Sequence, residues 1–452
     1  MIFIHGSRRL SWDLPSIFGF ANRKRILARL FDMTSTNKPV PGAREYYPLN
    51  EPAIGTPLGS QNDDNVPFLF RPLTLRGTTF KNRIFVSPMC QYSSDNGHAT
   101  DWHLVHLGGF ATRGAAAICV EATSVVPEGR ISPQDSGLWT DTQIEPLKRI
   151  VDFCHAQGAK VGLQLSHAGR KSSTTAPWIT TQSGQRGTAQ IEDGGWPDEV
   201  YAPSDIPFNT DHPFPKEMSE EHLQYVEDAF VAAVERCKQI GFDFIELHGA
   251  HGYLLHSFVS PLSNVRSDQY GGQALENRLR FPLRVIQQCR KAWSKPLFVR
   301  ISATDWAEGP EQAEDGTWKQ WGLDQSKVFV GEMQKLGVDL IDCSTGGNWA
   351  KQKIPYGLGY QVPFAEAIKK AYPTMVVTSV GMIVDPHQAE SYISSGKADA
   401  VFLARELIRT PHWPLAAAQA LGVKVKAANQ YERGWIPVPK WNPDLESHAT
   451  TT

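Results

Sequence analysis

From about Asn82 onward, eight short apolar runs alternate with amphipathic helical stretches, and this alternation constrains the fold more than any other feature of the chain. The runs are "RIFVSP" from 83, "AAAICVEAT" from 115, "KVGLQLSH" from 160, "FDFIELHG" from 242, "PLFVRISA" from 296, "VDLIDCST" from 338, "MVVTSVGM" from 375 and "ADAVFLAREL" from 398. Their centres are almost continuously apolar, as strands covered on both faces of a parallel sheet must be. Helical patterns lie between them, among them 220–241, 275–293 and 323–337, and several close on a glycine suited to a C-cap. Eight such units favour an α/β fold made of a single closed (β/α)8 TIM barrel with an N-terminal extension and long rim loops. A doubly wound open sheet is the alternative, but no GxGxxG follows the first strand.

Residues 1–66 read as an N-terminal extension, targeting or disordered, residues 67–435 as the barrel, and 436–452 as a C-terminal tail. A chain of 452 residues that is 41% hydrophobic can bury a core of that size. With 45 basic and 47 acidic residues the net charge is −2, so nothing global recommends nucleic acid or an acidic membrane as a partner; a small molecule is expected instead. The six cysteines are scattered, with no CxxC pair and no zinc spacing, which points to a reduced, intracellular protein. No apolar run approaches the roughly 20 residues that span a bilayer. Met1 to Asp32 carries six basic residues against Asp13 and Asp32, and resembles an organelle presequence, while Met33 offers a second start. The expected location is the cytoplasm, or the mitochondrion if that leader acts.

In such a barrel, functional side chains collect at the C-terminal ends of the strands. The first strand delivers Cys90 and Tyr92, the third Gln164 and His167, the fourth His248, His251 and Tyr253, the fifth Arg300 and the eighth Arg405. The sixth and seventh end in "STGGN" and "SVGM", turns whose amides suit a phosphate. Singly, each has an ordinary use: a strand-end arginine often pairs structurally, and a buried cysteine is often only a small core residue. Together they are hard to reconcile with stability alone. The connection from Lys171 to Glu217 follows a strand C-terminus and reads as a lid or pocket wall. His248 and His251 lack the intervening Glu of HExxH; other strands could supply ligands, so a metal hydrolase is one reading, but no carboxylate apart from Glu121 stands out at the other strand ends and no metal is expected. The other use of paired imidazoles is to hydrogen-bond a carbonyl or developing oxyanion beside a phenol that handles a proton.

The pieces "RGTTFKNRIFVSPMCQYS", "DWHLVHLGGFATRG", "EATSVVPEGRIS", "LQLSHAGRK", "IELHGAHGYLLHSFVSPLSNVRSDQYGGQALENRLRF", "PLFVRIS", "DLIDCSTGG", "GYQVPFAEAI", "SVGMI", "FLAREL" and "QYERGW" occur in one order over about four-fifths of the chain. From about Phe68 to Trp435 the chain thereby resembles the old yellow enzyme family of FMN-dependent ene-reductases, closest to its bacterial-type branch of xenobiotic reductases.

The resemblance implies FMN at the barrel mouth, with Ser87, Pro88, Met89 and Cys90 along the ring, Ala122 beside it and Gln164 on its pyrimidine edge. Arg300 would face the edge where reduced flavin gathers negative charge, and Gly381, Ala404 and Arg405 would hold the phosphate. NADPH or NADH would reduce the flavin and leave, in ping-pong fashion, before an activated alkene stacks on the same face. His248 and His251 would hold its carbonyl or nitro oxygen, Tyr253 would protonate the α-carbon, and Cys90 and Tyr92 would touch substrate. Arg433 would reach into a neighbouring subunit's pocket, implying a homodimer or dimer of dimers. Ser166 and Ala404 depart from residues common in relatives, and the segment 305–322 is an insertion that reshapes the rim.

Overall fold

The computed structural model describes residues 38–59, 64–180 and 186–435. The leader and the C-terminal tail lie outside them. The expected eight strands form one closed parallel barrel: β1 (Ile84–Val86), β2 (Ala117–Ser124), β3 (Lys160–Ser166), β4 (Phe244–Gly249), β5 (Leu297–Ser302), β6 (Leu340–Ser344), β7 (Val376–Ser379) and β8 (Ala400–Leu403). Closure is made by β8 against β1, with Leu403 beside Val86. The principal outer helices are Asp101–Ala111, Ile144–Ala156, Glu220–Ile240, Leu275–Ala292, Leu323–Lys335, Val362–Ala371, Pro386–Ser394 and Trp413–Ala420. Glu220–Ile240 begins at Ser219, whose hydroxyl accepts from the His222 amide, and ends at Gly241 in the left-handed region, where a side chain would be strained. No helix among the described residues is long and apolar enough to cross a membrane.

Alternation of side chains along the strands sorts the barrel interior into layers. On β4, Phe244, Glu246 and His248 share one face while Ile245 and Leu247 face the helices; Phe298 and Arg300 on β5, and Leu340 and Asp342 on β6, repeat the phase. The lowest layer is aromatic. Phe244 stacks on Phe298 with centroids 4.5 Å apart, and Phe85 meets Phe402 edge-on at 5.4 Å. A hairpin of Leu73–Leu75 and Thr78–Phe80 caps this end and inserts Phe80 against Phe85, Phe244 and Phe298. The sequence reading did not foresee this plug, because its strands of three residues are too short for periodicity to reveal.

Residues 38–59 pack along the body rather than standing away from it: the Gly55 amide donates to the Lys426 carbonyl at 2.7 Å, and the Asn429 amide to Asn50 Oδ1 at 2.7 Å.

Phe80 is wholly buried, and Phe80→Ala removes the plug and leaves a cavity against three other rings. The variant should lose about 3–5 kcal/mol of unfolding free energy. A denaturant titration checks this; an unchanged midpoint would mean that the hairpin does not close the barrel.

Candidate active site

Above the aromatic floor lies a layer of buried charge. Arg300 Nε donates to Asp342 Oδ2 at 2.5 Å, and Arg300 Nη2 to Ser87 Oγ at 3.2 Å. Asp342 Oδ1 accepts from Thr378 Oγ1 at 3.2 Å. On the neighbouring strand, Glu246 Oε1 accepts the Gln164 amide at 2.7 Å, while Glu246 Oε2 is buried without a partner among the described residues. Burial and then the Asp342 charge push the Glu246 carboxyl upward. Burial works against the Arg300 cation, yet Asp342 and Glu246 outweigh it and raise its pKa. A buried cation with two carboxylates is stable only as a unit, since removing one member leaves the others uncompensated.

The rim above this layer carries the fourth-strand motif. His248 Nδ1 is buried and unpartnered among the described residues. Its ring stands nearly perpendicular to both His251 and Tyr253, at centroid distances of 5.2 and 4.8 Å. His251 sits at φ +60° beside Gly252 at +74°, a left-handed turn in which the Gly252 backbone lies against Gly347 and Asn348. The Ser344 hydroxyl donates to Gln361 Oε1, so the 2.8 Å contact from His251 Nε2 to Ser344 Oγ is an N–H donation, and His251 carries its proton on Nε2. Burial and neighbouring cations hold both imidazoles well below the usual histidine range. They are neutral at pH 7. Burial and Cys90 push the Tyr253 phenol up, so it keeps its proton. Burial likewise keeps Cys90 a thiol.

A cavity of about 640 Å³ runs outward from this rim, lined by Ser87, Pro88, His251, Arg300, Gly381, Ala404 and Arg405. Tyr356, Tyr360 and Gln361 complete one side. At its outer end Gly381 and Met382 take successive positive φ angles of +114° and +49°, a turn of the kind whose amides form an anion-binding concavity. A Cβ at Gly381 would lie 2.6 Å from the Gln361 amide nitrogen.

Residues 68–423 match the family described as the NADH:flavin oxidoreductase / NADH oxidase family. The chain belongs to it. An NADH:flavin oxidoreductase of Gibberella zeae is 45% identical over 396 residues, 86% of this chain and 94% of that one. An NADPH dehydrogenase of Geobacillus thermodenitrificans is 44% identical over 371 residues, 81% of this chain and 98% of its own. Among solved structures, morphinone reductase shares the fold with a TM-score of 0.63 at 24% identity, covering 80% of this chain and 91% of that one. The resemblance to old yellow enzymes and the expected barrel are thus borne out, and the protein is an FMN-dependent NADH/NADPH oxidoreductase of that type.

The residues present fit such a cofactor: a cavity of the right size, a turn and Arg405 at one end for a phosphate, and Arg300 with Gln164 below its inner end for a polar ring edge. For this family member the structure gathers most of the sequence-derived candidates, though not all in one place. Ser87, Pro88, Arg300, Gly381, Ala404, Arg405 and His251 line the cavity. Gln164 joins them through Glu246, and its partner across the β2–β3 register is Ala122, set there by a bulge at Glu121. Cys90 and Tyr92 lie near Tyr253, close enough that ionising one would disfavour ionising another. Met89 packs on the core. Arg433 is exposed in the turn Glu432–Trp435, apart from this chain's cavity lining. His167 is buried, its Nδ1 accepting the Gly169 amide at 3.0 Å, and it serves the loop. Among the described residues no cluster of three or more His, Cys, Asp and Glu could hold a metal ion.

Sequence reasoning missed Glu246, Asp342, Ser344, Gln361 and Lys171. Lys171 Nζ donates to the carbonyls of His251 (2.8 Å) and Gly347, tying the left-handed turn to the next loops. Burial, then Arg170 and Arg186, pull its pKa down to about 7. The unfolded lysine stays protonated to about 10.4, so wild-type stability should rise with pH from about 7 towards 10 as the folded ammonium is neutralised. Lys171→Met should lose that rise; thermal melts of both proteins across this range test it, and parallel curves would refute it.

Proposed function

We propose that this protein reduces the C=C bond of activated alkenes, α,β-unsaturated carbonyl or nitro compounds, using NADPH or NADH in two successive half-reactions at one pocket. The observation that carries the reading is His251 in the lining of a cavity whose opposite end suits a phosphate, with the His248 ring against His251 and the Tyr253 ring against His248. FMN, when bound, supplies a two-electron carrier that accepts hydride from the nicotinamide and delivers it to the alkene.

Ser87, Pro88, Met89, Cys90 and Ala122 would border the ring, Gln164 and Arg300 its polar edge, and Gly381, Ala404 and Arg405 the phosphate. The Arg300 cation, anchored by Asp342, is a fixed positive charge below the mouth and stabilises negative charge that develops there. His248 and His251 act as neutral donors to the substrate's carbonyl or nitro oxygen, which takes the His251 N–H in place of Ser344. Holding that oxygen draws electron density from the double bond. The Tyr253 phenol, protonated at neutral pH, gives its proton to the α-carbon. Cys90 and Tyr92 would touch the substrate beside Tyr253. The Arg433 guanidinium, outside this chain's own cavity lining, suits a reach into the pocket of a second copy in a homodimer or dimer of dimers.

Tyr253→Phe should slow alkene reduction by about 10²–10⁴-fold while leaving reduction of the bound flavin by NADPH within a few-fold. Stopped-flow measurement of each half-reaction separates them; equal losses in both would remove the proton-donor role. His248→Ala should weaken phenol binding, read as a spectral shift on titration, by about tenfold or more. Retained affinity would count against oxygen binding by the imidazole.

A further inference from the structure

We propose that Arg186, on the long loop after β3, selects activated alkenes that carry a carboxylate, binding that anion at the Tyr92 end of the pocket. The inference rests on the alkene reading above and adds to it the chemical class of the preferred substrate.

The loop returns on itself as a hairpin. Thr174 bridges Thr188, Thr180 bridges Arg186, and the Thr175 amide donates to the Gly187 carbonyl at 2.9 Å. Arg186 Nε donates to the Thr175 carbonyl at 2.8 Å, which fixes the direction of the guanidinium. Its carbon lies 5.0 Å from the centroid of the Tyr92 ring, and Trp178 from the other arm of the hairpin meets that ring edge-on at 5.6 Å. The cation is also close enough to Cys90 and Tyr253 to favour their ionised forms against burial. Arg186 therefore stands over the substrate end of the site.

It lacks an acid to hold. Arg186 Nη2 is buried with no partner, and the residue makes no ion pair among the described residues. Asp135 is near, but its Oδ2 accepts the amides of Ile131 and Ser132 at 2.7 and 3.1 Å and its Oδ1 the Ser132 hydroxyl at 3.3 Å. Burial and Glu121 push this carboxyl up to about 7, which weakens it further as a counter-charge. Lys171 stands on the same side, its Nζ 5.6 Å from the Tyr253 centroid and already donating to the carbonyls of His251 and Gly347. A partly desolvated guanidinium whose Nη2 has no acceptor is stabilised by an anion, and a carboxylate accepts from it in a charge-assisted hydrogen bond.

The test compares holoenzyme, Arg186→Met and Arg186→Lys on N-phenylmaleimide and its para-carboxyphenyl analogue. The ratio of kcat/KM, anionic over neutral, should fall about tenfold or more in Arg186→Met, mostly through KM, and recover partly in Arg186→Lys. An unchanged ratio overturns the proposal. So does an unchanged ratio accompanied by weaker NADPH binding in the reductive half-reaction, which would assign the guanidinium to a dinucleotide phosphate. If the wild type reduces neither maleimide, the alkene reading fails, and calorimetric binding of benzoate against benzamide judges Arg186 by itself. A benzoate preference lost in Arg186→Met upholds the anion site; no preference in the wild type ends it.

Discussion

The ion pair between Arg300 and Asp342 is the interaction on which the rest of the site depends. Both side chains are almost wholly buried, and a guanidinium in a barrel interior exists only because a carboxylate one strand away meets its Nε at 2.5 Å. The pair helps fix the register in which β5 and β6 close, since a one-residue slip of either strand would turn its own charge towards the helices and leave the other unpaired inside. It also uses only part of the guanidinium. One remaining nitrogen reaches Ser87, just past the end of the first strand, placing a positive charge at the cavity's inner wall.

Around that charge the barrel divides its labour by height. Aromatic rings and the Phe80 plug make the lower end a dry, rigid support. The charged layer above it sets the electrostatics, and the strand ends place donors over both. The left-handed turn at His251 and Gly252 is held from three sides: by Ser302 Oγ accepting the His251 amide, by His256 Nδ1 accepting the Gly252 amide, and by Lys171 on the His251 carbonyl. His256 Nε2 lies 3.1 Å from Asp305, at the start of the 305–322 insertion. The insertion is thus tied to the His251–Gly252 turn. Rigidity here matters because hydrogen-bond donors are useful only when they need not reorganise as charge develops.

Much of this was legible in the residues. Eight strands stood out because both faces of each are covered, so apolar character is continuous, and Gly241 closed its helix where expected. The same continuity hid which face points inward. Glu246 in "FIEL", Arg300 in "FVRI" and Asp342 in "LIDC" are lone charges inside apolar strands, and that was the available signal for a buried charge layer. Arg300 was legible as a strand-end residue facing the cofactor, but not its pairing with Asp342 in the barrel interior. Lys171 and Arg186 could not be placed from sequence, since their partners lie on loops whose paths depend on tertiary packing.

The central claim is that a cation held inside the barrel by Asp342 supports a flavin at its mouth. Titration of apoprotein with FMN, followed by absorbance for the wild type and Arg300→Met, addresses it directly. The account predicts stoichiometric uptake by the wild type and binding weakened by at least tenfold in a variant that still folds. FMN uptake unaffected by loss of the guanidinium, or a wild-type protein that takes up no FMN, would contradict it.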